Sequence, residues 1–449
     1  MKIMKMLKKS LLYLMMAMMA AFVACEKEET EVEIEEGEQS DIVEITDATT
    51  ELEGQMKGTL RAGKTYTVTG DLIIPEGEEI VAEAGVTLIF QVPADGIGYE
   101  ITNHGSFISL GTEQNPNLLS VPADMRTDEN IFAGLWGGIQ CSDKAEAVVL
   151  KWTRMEYLGG EGGPGTPRAG RIRYGIWTLS DQTEVIMENS WVYGTKDDFY
   201  RPVGGKIHIV GNTFEYCGED GGDVINVKGG TVGNIAYNVV IGAATNAFKP
   251  SDDGESTIQS NIGIYNNTII NGGHRRAGLN RGSNINFENG ARGFAYNNII
   301  VNCKNGIRIL EDADIANIDY DYTLYYAIAQ EMVDQFLPQD AASVERPNDI
   351  KGGPGENDPM FVNYDVTQFT YEEYLAGENQ PHHMNRMTNS GVTYDLRLAA
   401  GSPAIGAGTT DFSPVSVSFT LTGERGPTMM APSADLGAYP TSGSGNRHN

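Results

Sequence analysis

Positively charged residues are scarce in this chain of 449 residues. Lysine and arginine together number 32, against 61 aspartates and glutamates, which leaves a formal net charge of −29. Nucleic acids and anionic membrane surfaces attract clustered cations, because their phosphates must be neutralised. The composition therefore argues against nucleic acid as a partner, and against a polyanionic substrate unless cations mediate the contact.

The apolar run at residues 11–24 is too short to cross a bilayer. It holds fourteen residues, whereas a membrane-spanning helix needs about 20. Four lysines precede it and a cysteine, Cys25, follows it. This is the layout of an export signal, so we expect residues 1–24 to be a signal peptide that takes no part in the fold.

Helical periodicity is also missing from the central part of the chain, where a different repeat is present. An asparagine followed by a short apolar run recurs at intervals of 23 to 31 residues, at Asn189, Asn212, Asn238, Asn267 and Asn298. Short β-branched or aromatic runs between Gly and Asn predict strands and turns. We expect each Asn to occupy a corner of one coil of a solenoid, in a turn conformation that other residues resist. Stacked Asn side chains would then bond from coil to coil.

These repeats resemble those of the right-handed parallel β-helix proteins of pectate-lyase type, over roughly residues 55–310. The resemblance implies an all-β fold, with a single right-handed parallel β-helix at residues 51–310. The segment from Asp395 to Tyr439 is similar to the closing segment of β-helix proteins of the Bacteroidota, so we expect residues 395–440 to close the solenoid. Residues 311–394 break the repeat and are expected to form an irregular insertion or long loops.

The start of the chain resembles a bacterial surface lipoprotein. Phe22-Val-Ala-Cys25 is similar to a lipobox, with Phe at the usual Leu position, and Glu26-Lys-Glu-Glu29 is similar to the surface-export signal of Bacteroidota lipoproteins. The resemblance implies acylation of Cys25, and several acyl chains anchor a protein stably. Residues 25–50 are acidic and poor in apolar side chains, which predicts a disordered tether. We therefore expect a lipoprotein of the outer membrane, exposed on the cell surface.

The remaining cysteines do not suggest a disulfide or a metal site. Cys217 and Cys303 take the same small-residue position of the repeat, five places after Asn, three repeats apart. At ~4.8 Å per strand this separates them by roughly 14 Å, and a disulfide needs Cα atoms within about 7 Å. We expect both to be reduced core residues. Cys141 has no evident partner, and no Cys/His spacing typical of a metal site occurs.

Acidic and basic side chains follow the Asn corners at similar offsets, seven to eight residues on. Equal offsets should stack them on one external face as an acidic patch on two coils, bordered by a basic patch two coils on. Clustered carboxylates repel unless a hard cation such as Ca²⁺ neutralises them. A lysine near such charges can be tuned toward a general base.

The segment Asp223-Val-Ile-Asn-Val-Lys228 resembles part of the Ca²⁺-dependent β-helix polysaccharide lyases. That resemblance implies three roles, and no complete lyase signature accompanies them. The calcium ligands would be Asp198, Glu219, Asp220 and Asp223, the general base would be Lys228 or Lys249, and the clamp on a substrate carboxylate would be Arg275 or Arg276. The Gly-His-Gly of β-helix polygalacturonases is absent, because Arg275 follows Gly273-His274. Acids on such turns are also commonly just solvated.

Three functions therefore stay open, because one fold supports many activities. The first is a glycan-binding lipoprotein that serves an outer-membrane transporter complex in polysaccharide uptake. The second is a Ca²⁺-dependent polysaccharide lyase, or less favourably a glycoside hydrolase. The third is a structural or adhesive surface protein. Two further features bear on the choice: the four tryptophans, expected on strands and facing either sugar or core, and the glycine-rich residues 159–170, expected to form a flap or a plain turn.

Overall fold

Short parallel strands dominate the computed structural model, which describes residues 41–253, 256–276, 281–369 and 395–448. These residues fall within one compact unit, Glu38–Asn449. The predicted signal peptide, Cys25 and residues 25–40 of the predicted tether lie outside the described residues. Within the described residues, no helix has the length and apolar character needed to cross a membrane.

The strands and helices have the following bounds. The first ten strands are β1 Val43–Ile45, β2 Glu51–Leu60, β3 Thr65–Ile74, β4 Glu79–Ala82, β5 Thr87–Phe90, β6 Ile101–Asn103, β7 Ser106–Leu110, β8 Asn117–Ser120, β9 Ile139–Cys141 and β10 Ala147–Lys151. The next ten are β11 Thr153–Leu158, β12 Ile176–Thr178, β13 Glu184–Glu188, β14 Trp191–Thr195, β15 Tyr200–Val210, β16 Thr213–Cys217, β17 Ile225–Asn226, β18 Gly229–Ala236, β19 Val239–Ile241 and β20 Phe248–Lys249. The last are β21 Asn261–Tyr265, β22 Thr268–Ile270, β23 Ser283–Phe287, β24 Arg292–Tyr296, β25 Ile299–Val301, β26 Asn305–Ile309, β27 Ile318–Asp321, β28 Leu324–Tyr326, the helix α1 Gln330–Gln335, β29 Phe361–Asn363 and β30 Asp395–Leu398. Short 3₁₀ turns lie at Ala123–Met125, Asp128–Asn130, Ile315–Asn317, Val366–Gln368 and Gly423–Arg425.

Twenty-eight of these strands stack as three parallel sheets, with the long strands β2, β3 and β15 bending from one sheet to another. The first sheet contains β1, β2, β4, β7, β10, β13, β15, β18, β21, β24 and β27. The second contains β2, β3, β5, β8, β11, β14, β16, β19, β22, β25 and β28. The third contains β2, β3, β6, β9, β12, β15, β17, β20, β23 and β26. This confirms the predicted all-β parallel β-helix. β27 and β28 continue the stack within residues 311–394, and β29 and β30 pair antiparallel outside it.

The core forms because one side of every strand carries apolar residues in register. In the third sheet, Ile139, Ile176, Tyr200 and Ile225 are aligned on four successive coils, and all are buried. Fully burying one such side chain stabilises the fold by about 1.5–3 kcal/mol. A single coil cannot bury its apolar face alone, so each coil depends on its neighbours.

Asparagine side chains stack at the corner between the first and second sheets. We define the Asn ladder as Asn212, Asn238, Asn267 and Asn298, all buried. The backbone N–H of each of the first three donates to the Oδ1 of the next, at 2.9, 2.9 and 3.0 Å. Their side-chain amides donate to the same oxygens at 3.0–3.1 Å. The expected coil-to-coil bonding is therefore present.

Two details of the expected corner are wrong. Asn189 is not in the ladder: Ser190 holds that position and its N–H donates to Asn212 Oδ1 at 2.9 Å. The left-handed turn residue is also not the ladder Asn but the residue before it. Asn189 has φ 49°, and Tyr237 and Asn266 have φ 56° and 52°. The ladder asparagines are thus retained for hydrogen bonding, while the preceding position makes the turn.

The cysteines Cys141, Cys217 and Cys303 are buried and free. This confirms that Cys217 and Cys303 are reduced core residues. Burial raises the pKa of each of these thiols to about 12. Such thiols stay protonated at neutral pH and do not act as nucleophiles or metal ligands.

The C-terminal segment, residues 395–448, packs on the outer sides of the first two sheets. Phe419 and Leu421 pack against Ile108, Val149 and Ile186 of the first sheet. The segment reaches the first coils at two points, since Arg425 pairs with Glu79 at 2.8 Å and Arg447 pairs with Glu113 at 2.5 Å. On the second sheet, Leu436 and Ala438 pack with Val239 and Ile241. The segment thus covers these two faces with the chain's own residues.

Candidate functional site

The outward side of the third sheet carries a row of polar side chains, which we call the outer column. Its residues alternate along each strand with core residues, and the strand register places them one above another. The outer column consists of Gln140, Trp177, Arg201, Asn226, Lys249, Asn286 and Arg308. Stacked strands lie about 4.8 Å apart, so the column follows the solenoid axis. The sheet therefore presents hydrogen-bonding groups at regular spacing on its outer side.

A second row lies three residues before the outer column. Asp198 Oδ1 accepts the N–H of Asp223 on the next coil at 2.6 Å, and Asp223 Oδ1 accepts the N–H of Asn246 at 2.8 Å. Asn246 also donates its side-chain amide to Asp223 at 2.6 Å. Asp198 Oδ2 accepts the Asn226 amide at 2.8 Å, which joins the two rows. The acids are held in place by backbone N–H groups of the coil that follows.

Each cation of the outer column has a carboxylate partner. Arg201 pairs with Asp198 at 3.1 Å, Lys249 with Glu288 at 2.9 Å, and Arg308 with Asp340 at 2.7 Å. Beside the column, Lys228 lies 3.9 Å from Asp253. Burial makes an isolated charge costly, and pairing offsets that cost. The outer column consequently consists of ion pairs and neutral groups, and its three cations are not available as unpaired charges.

The pKa values of Asp223, Lys228 and Lys249 in this cluster are shifted from their ordinary values. Burial raises the pKa of Asp223 to about 6, with the Asp198 charge adding to it and Lys249 opposing it. Burial lowers the pKa of Lys228, and the charges of Lys249 and Arg201 lower it further. Burial also lowers the pKa of Lys249, but Asp223 and Glu288 outweigh it and raise the pKa overall. Displaced acids and bases in one cluster are typical of functional sites, although structural ion pairs also produce them.

Aromatic rings lie at one end of the column. Tyr174 and Trp177 meet edge to face at 6.5 Å between centroids. The guanidinium of Arg168 lies 4.2 Å from the Tyr174 ring centroid and 5.1 Å from that of Trp177, and Arg201 lies 4.8 Å from the Tyr174 ring. Cations over aromatic faces hold the rings in fixed orientation. This end therefore holds a rigid aromatic pair next to polar groups, with Tyr174 6% and Trp177 8% exposed.

The glycine-rich loop before Tyr174 is anchored rather than free. Arg173 is fully buried and pairs with the equally buried Glu100 at 2.9 Å. Its other nitrogens donate to the carbonyls of Gly98 at 2.5 Å and Gly160 at 2.9 Å. Arg168 reaches the Tyr174 hydroxyl at 3.1 Å. The loop is thus tied to an earlier coil and supports the aromatic end of the outer column.

Several polar atoms of this face have no hydrogen-bond partner within the described residues. They belong to side chains of the column that are at least nine-tenths buried: Trp177 Nε1, Asn226 Oδ1 and Asn286 Oδ1. The Nε of Arg308 is also without a partner there. Buried polar atoms are normally satisfied. These unsatisfied atoms are therefore the candidate ligand contacts of the outer column.

The structure brings together four of the residues expected in a site. Asp198, Asp223, Lys228 and Lys249 lie in this cluster, and their charges act on one another. Glu219 and Asp220 are exposed instead, and Glu219 pairs with Lys196 at 3.0 Å. Over residues 41–253, 256–276, 281–369 and 395–448, no three His, Cys, Asp or Glu side chains are grouped so that they could hold a metal ion. The four expected calcium ligands do not form such a group.

Of the two expected clamp arginines, Arg275 turns its side chain toward the backbone. Arg275 donates to the carbonyls of Glu219 at 2.9 Å, Gly218 at 2.7 Å and Gly242 at 2.8 Å. The backbone carbonyl of Arg276 accepts from Lys304 at 2.6 Å. These contacts join neighbouring turns of the coil.

The tryptophans divide between core and surface. Trp136 is in the core and stacks on Phe90 at 4.0 Å. Trp177 belongs to the outer column. Trp152 and Trp191 lie on the outer side of the second sheet, where the His448 ring stacks on Trp191 at 3.5 Å. The expectation that all four lie on strands is wrong, since Trp136 and Trp152 fall between strands.

Sequence reasoning missed several members of the outer column, among them Arg201, Asn226 and Asn286. A signal for them exists. Polar residues alternate with core residues in Ile225-Asn-Val-Lys228, Ile285-Asn-Phe-Glu288 and Ile307-Arg-Ile309. This alternation is typical of a strand with one outward side. Aligning the coils on these strands, as well as on the Asn corners, would have assembled the column.

Comparison with known proteins does not assign the chain to a family. No family model matches the chain, and no curated protein matches it.

Proposed function

We propose that the outward side of the third sheet binds polysaccharide, and that the protein is a glycan-binding lipoprotein. The single observation that carries the proposal is the outer column itself, where the Tyr174–Trp177 aromatic pair continues into stacked amides and ion pairs. Sugar rings place apolar faces on aromatic side chains and hydroxyls on polar ones. Binding sites of this kind combine apolar contact with a few fixed polar groups.

The geometry of a solenoid suits a linear polymer. The column from Trp177 to Arg308 crosses six coils, and five steps of about 4.8 Å give roughly 24 Å along the axis. An extended oligosaccharide could bond with each coil in turn. A small ligand would need only one or two coils, so the length of the column favours a polymer.

The location of the protein is part of the same proposal. The apolar run at residues 11–24, Cys25 and the acidic residues after it support export and lipid anchoring on the cell surface. The resemblance of the repeats to pectate-lyase-like lipoproteins of the Bacteroidota supports a role beside an outer-membrane transporter complex. An anchored glycan-binding protein would hold the polymer near that transporter.

The proposal is tested by glycan binding of the full-length protein, purified in detergent, followed by isothermal titration with each positive glycan. Replacing Trp177 by alanine should weaken binding by about tenfold or more, because ring contact and the Nε1 donor are both lost. The matched control is Trp191→Ala, which removes an outward tryptophan from the second sheet and should leave binding unchanged. Absence of any glycan ligand, or equal affinity of Trp177→Ala and the native protein, would refute the proposal. In the first case a structural or adhesive role would be favoured.

A lyase is the second candidate, and one observation favours it. Lys228 has a lowered pKa beside Asp198 and Lys249, and a lysine of this kind serves as a general base. Incubation with uronate polysaccharides, with Ca²⁺ or with a chelator, would reveal β-elimination through the absorbance of the unsaturated product. Catalysis requires a rise that Lys228→Met abolishes, while glycan binding persists. A flat trace favours binding alone.

A further inference from the structure

We infer that the outer column selects neutral, hydroxyl-rich polysaccharides and rejects polyanionic ones. The inference rests on the proposed glycan-binding function and specifies its substrate class. It also separates that function from a uronate lyase, whose substrate is a polyanion.

The cations of the column are already neutralised. Arg201, Lys249 and Arg308 lie 3.1, 2.9 and 2.7 Å from carboxylate oxygens of this chain. An incoming carboxylate or sulfate would have to displace these partners. At Arg201, displacement would leave the buried Asp198 unpaired, which is strongly unfavourable.

The charges nearest the solvent are negative. Side chains of the cations Arg201, Lys249 and Arg308 are 17%, 9% and 12% exposed, whereas their neighbours Asp253 and Asp340 are both 43% exposed. At the coils that carry Asp253 and Asp340, a polyanion meets these carboxylates before it meets a cation of the column. The chain as a whole is also strongly acidic, at −29. Repulsion at the rim therefore opposes polyanion binding, most strongly at low salt.

The unused hydrogen-bonding capacity is mainly neutral. Trp177 Nε1 is a donor, and the Asn226 and Asn286 amides are uncharged groups with an oxygen that no described residue satisfies. A sugar hydroxyl both donates and accepts, so it can satisfy any of them. A carboxylate or sulfate only accepts and cannot satisfy Asn226 Oδ1 or Asn286 Oδ1. The charged groups of a polyanion therefore gain nothing from these two oxygens.

Bridging by a divalent cation could reverse the preference, but the side chains do not provide for it. Both oxygens of Asp198 and the Oδ1 of Asp223 accept hydrogen bonds from backbone N–H groups and amides of neighbouring coils. Throughout the part of the chain that the structure describes, no three carboxylate, imidazole or thiol side chains are grouped as a metal site. The acids of this face thus act as acceptors and as repulsive charges.

The experiment measures dissociation constants of the full-length protein for two probe sets at low and high salt. Neutral probes are glucan, mannan and xylan oligosaccharides, and anionic probes are polygalacturonate and alginate oligosaccharides of similar length. We expect at least one neutral probe to bind, with affinity that salt changes by less than about twofold. Anionic probes should bind at least about tenfold more weakly at low salt, with or without Ca²⁺.

A charge variant isolates the rim. Asp253→Asn should strengthen binding of the anionic probes and leave the neutral affinity unchanged, because it keeps the ion pairs of the outer column in place. The matched control, Asp411→Asn, removes the same charge from an exposed position on the C-terminal segment and should change neither. Tighter binding of anionic than neutral probes overturns the inference and leaves the glycan-binding function standing. Failure of both probe sets to bind overturns the function and the inference together.

Discussion

Replacing Asn238 by alanine tests how much the Asn ladder stabilises the fold. The Asn238 Oδ1 accepts the backbone N–H of Asn212 at 2.9 Å and its side-chain amide at 3.0 Å. The Asn238 side-chain amide donates to the carbonyl of Ile209 at 2.9 Å and to Asn267 Oδ1 at 3.1 Å. Alanine removes all four bonds at a site with no solvent exposure.

The cost follows from the two donors of Asn212 that lose their acceptor. A buried polar group left unsatisfied costs about 1–3 kcal/mol, so two such groups give about 2–6 kcal/mol. Small movements of the corner lower this range, and we expect a local destabilisation of about 3 kcal/mol. At 25 °C that corresponds to roughly a hundredfold change in the local opening equilibrium.

Amide hydrogen exchange, read by mass spectrometry on peptides covering residues 209–213, measures this opening directly. A local measurement is preferable because solenoids need not unfold as one cooperative unit. The control is Asn115→Ala, which makes the same substitution at an exposed side chain. It should leave exchange unchanged. If Asn238→Ala exchanges at the native rate in this corner, the ladder is not a stabilising network and the reasoning fails.

Two further predictions concern buried charges. Burial raises the pKa of Glu188, but the His208 ring, with Nε2 3.2 Å from the carboxylate, the hydrogen bond from the Thr428 N–H and the Lys151 charge outweigh it and lower the pKa from 4.5 to about 2. The stability that Glu188 contributes should therefore be complete above about pH 4.5 and lost as the pH falls toward 2. In urea unfolding at neutral pH, Glu188→Gln should lower the free energy of unfolding by about 3 kcal/mol. A variant whose stability depends on pH in the same way as that of the native protein would contradict this. Arg173→Met should destabilise the fold by about 3–5 kcal/mol, because Glu100 is left buried without its partner. Adding Glu100→Gln should restore part of that loss, and a double variant no more stable than Arg173→Met would argue against the ion pair as the cause.

The fold could be predicted because its signals are local and repeated. Asparagines at 23 to 31 residue intervals and small residues such as Cys217 and Cys303 mark the coils directly. The error at Asn189 arose because Asn189 and Ser190 are adjacent, and the sequence does not say which of them stacks on Asn212. Only the register of β14 against β16 decides it.

The site could be predicted in part. Asp198 and Asp223 stack although their offsets from the corner differ: Asp198 lies eight residues after Ser190, whereas Asp223 lies eleven after Asn212. Glu219 and Asp220, seven and eight residues after Asn212, have the offset that matches Asp198, but they are exposed on the turn and do not stack on it. The backbone contacts of Arg275 depend on carbonyl directions, which no sequence pattern reports. The packing of the C-terminal segment on earlier coils could not be predicted from the sequence either, because its contacts join residues far apart in the chain.

That packing imposes an order on folding. Neighbouring coils associate over a few tens of residues, whereas the pairs Glu79–Arg425 and Glu113–Arg447 join residues 346 and 334 positions apart. Contacts of such separation form late, because closing long loops is slow. Until then, Ile108, Val149 and Ile186 lack Phe419 and Leu421 as cover. A chain cut short before residue 411 would keep this apolar strip open to other chains, which favours aggregation. Only a chain that includes Phe419 and Leu421 can therefore cover this apolar strip with its own residues.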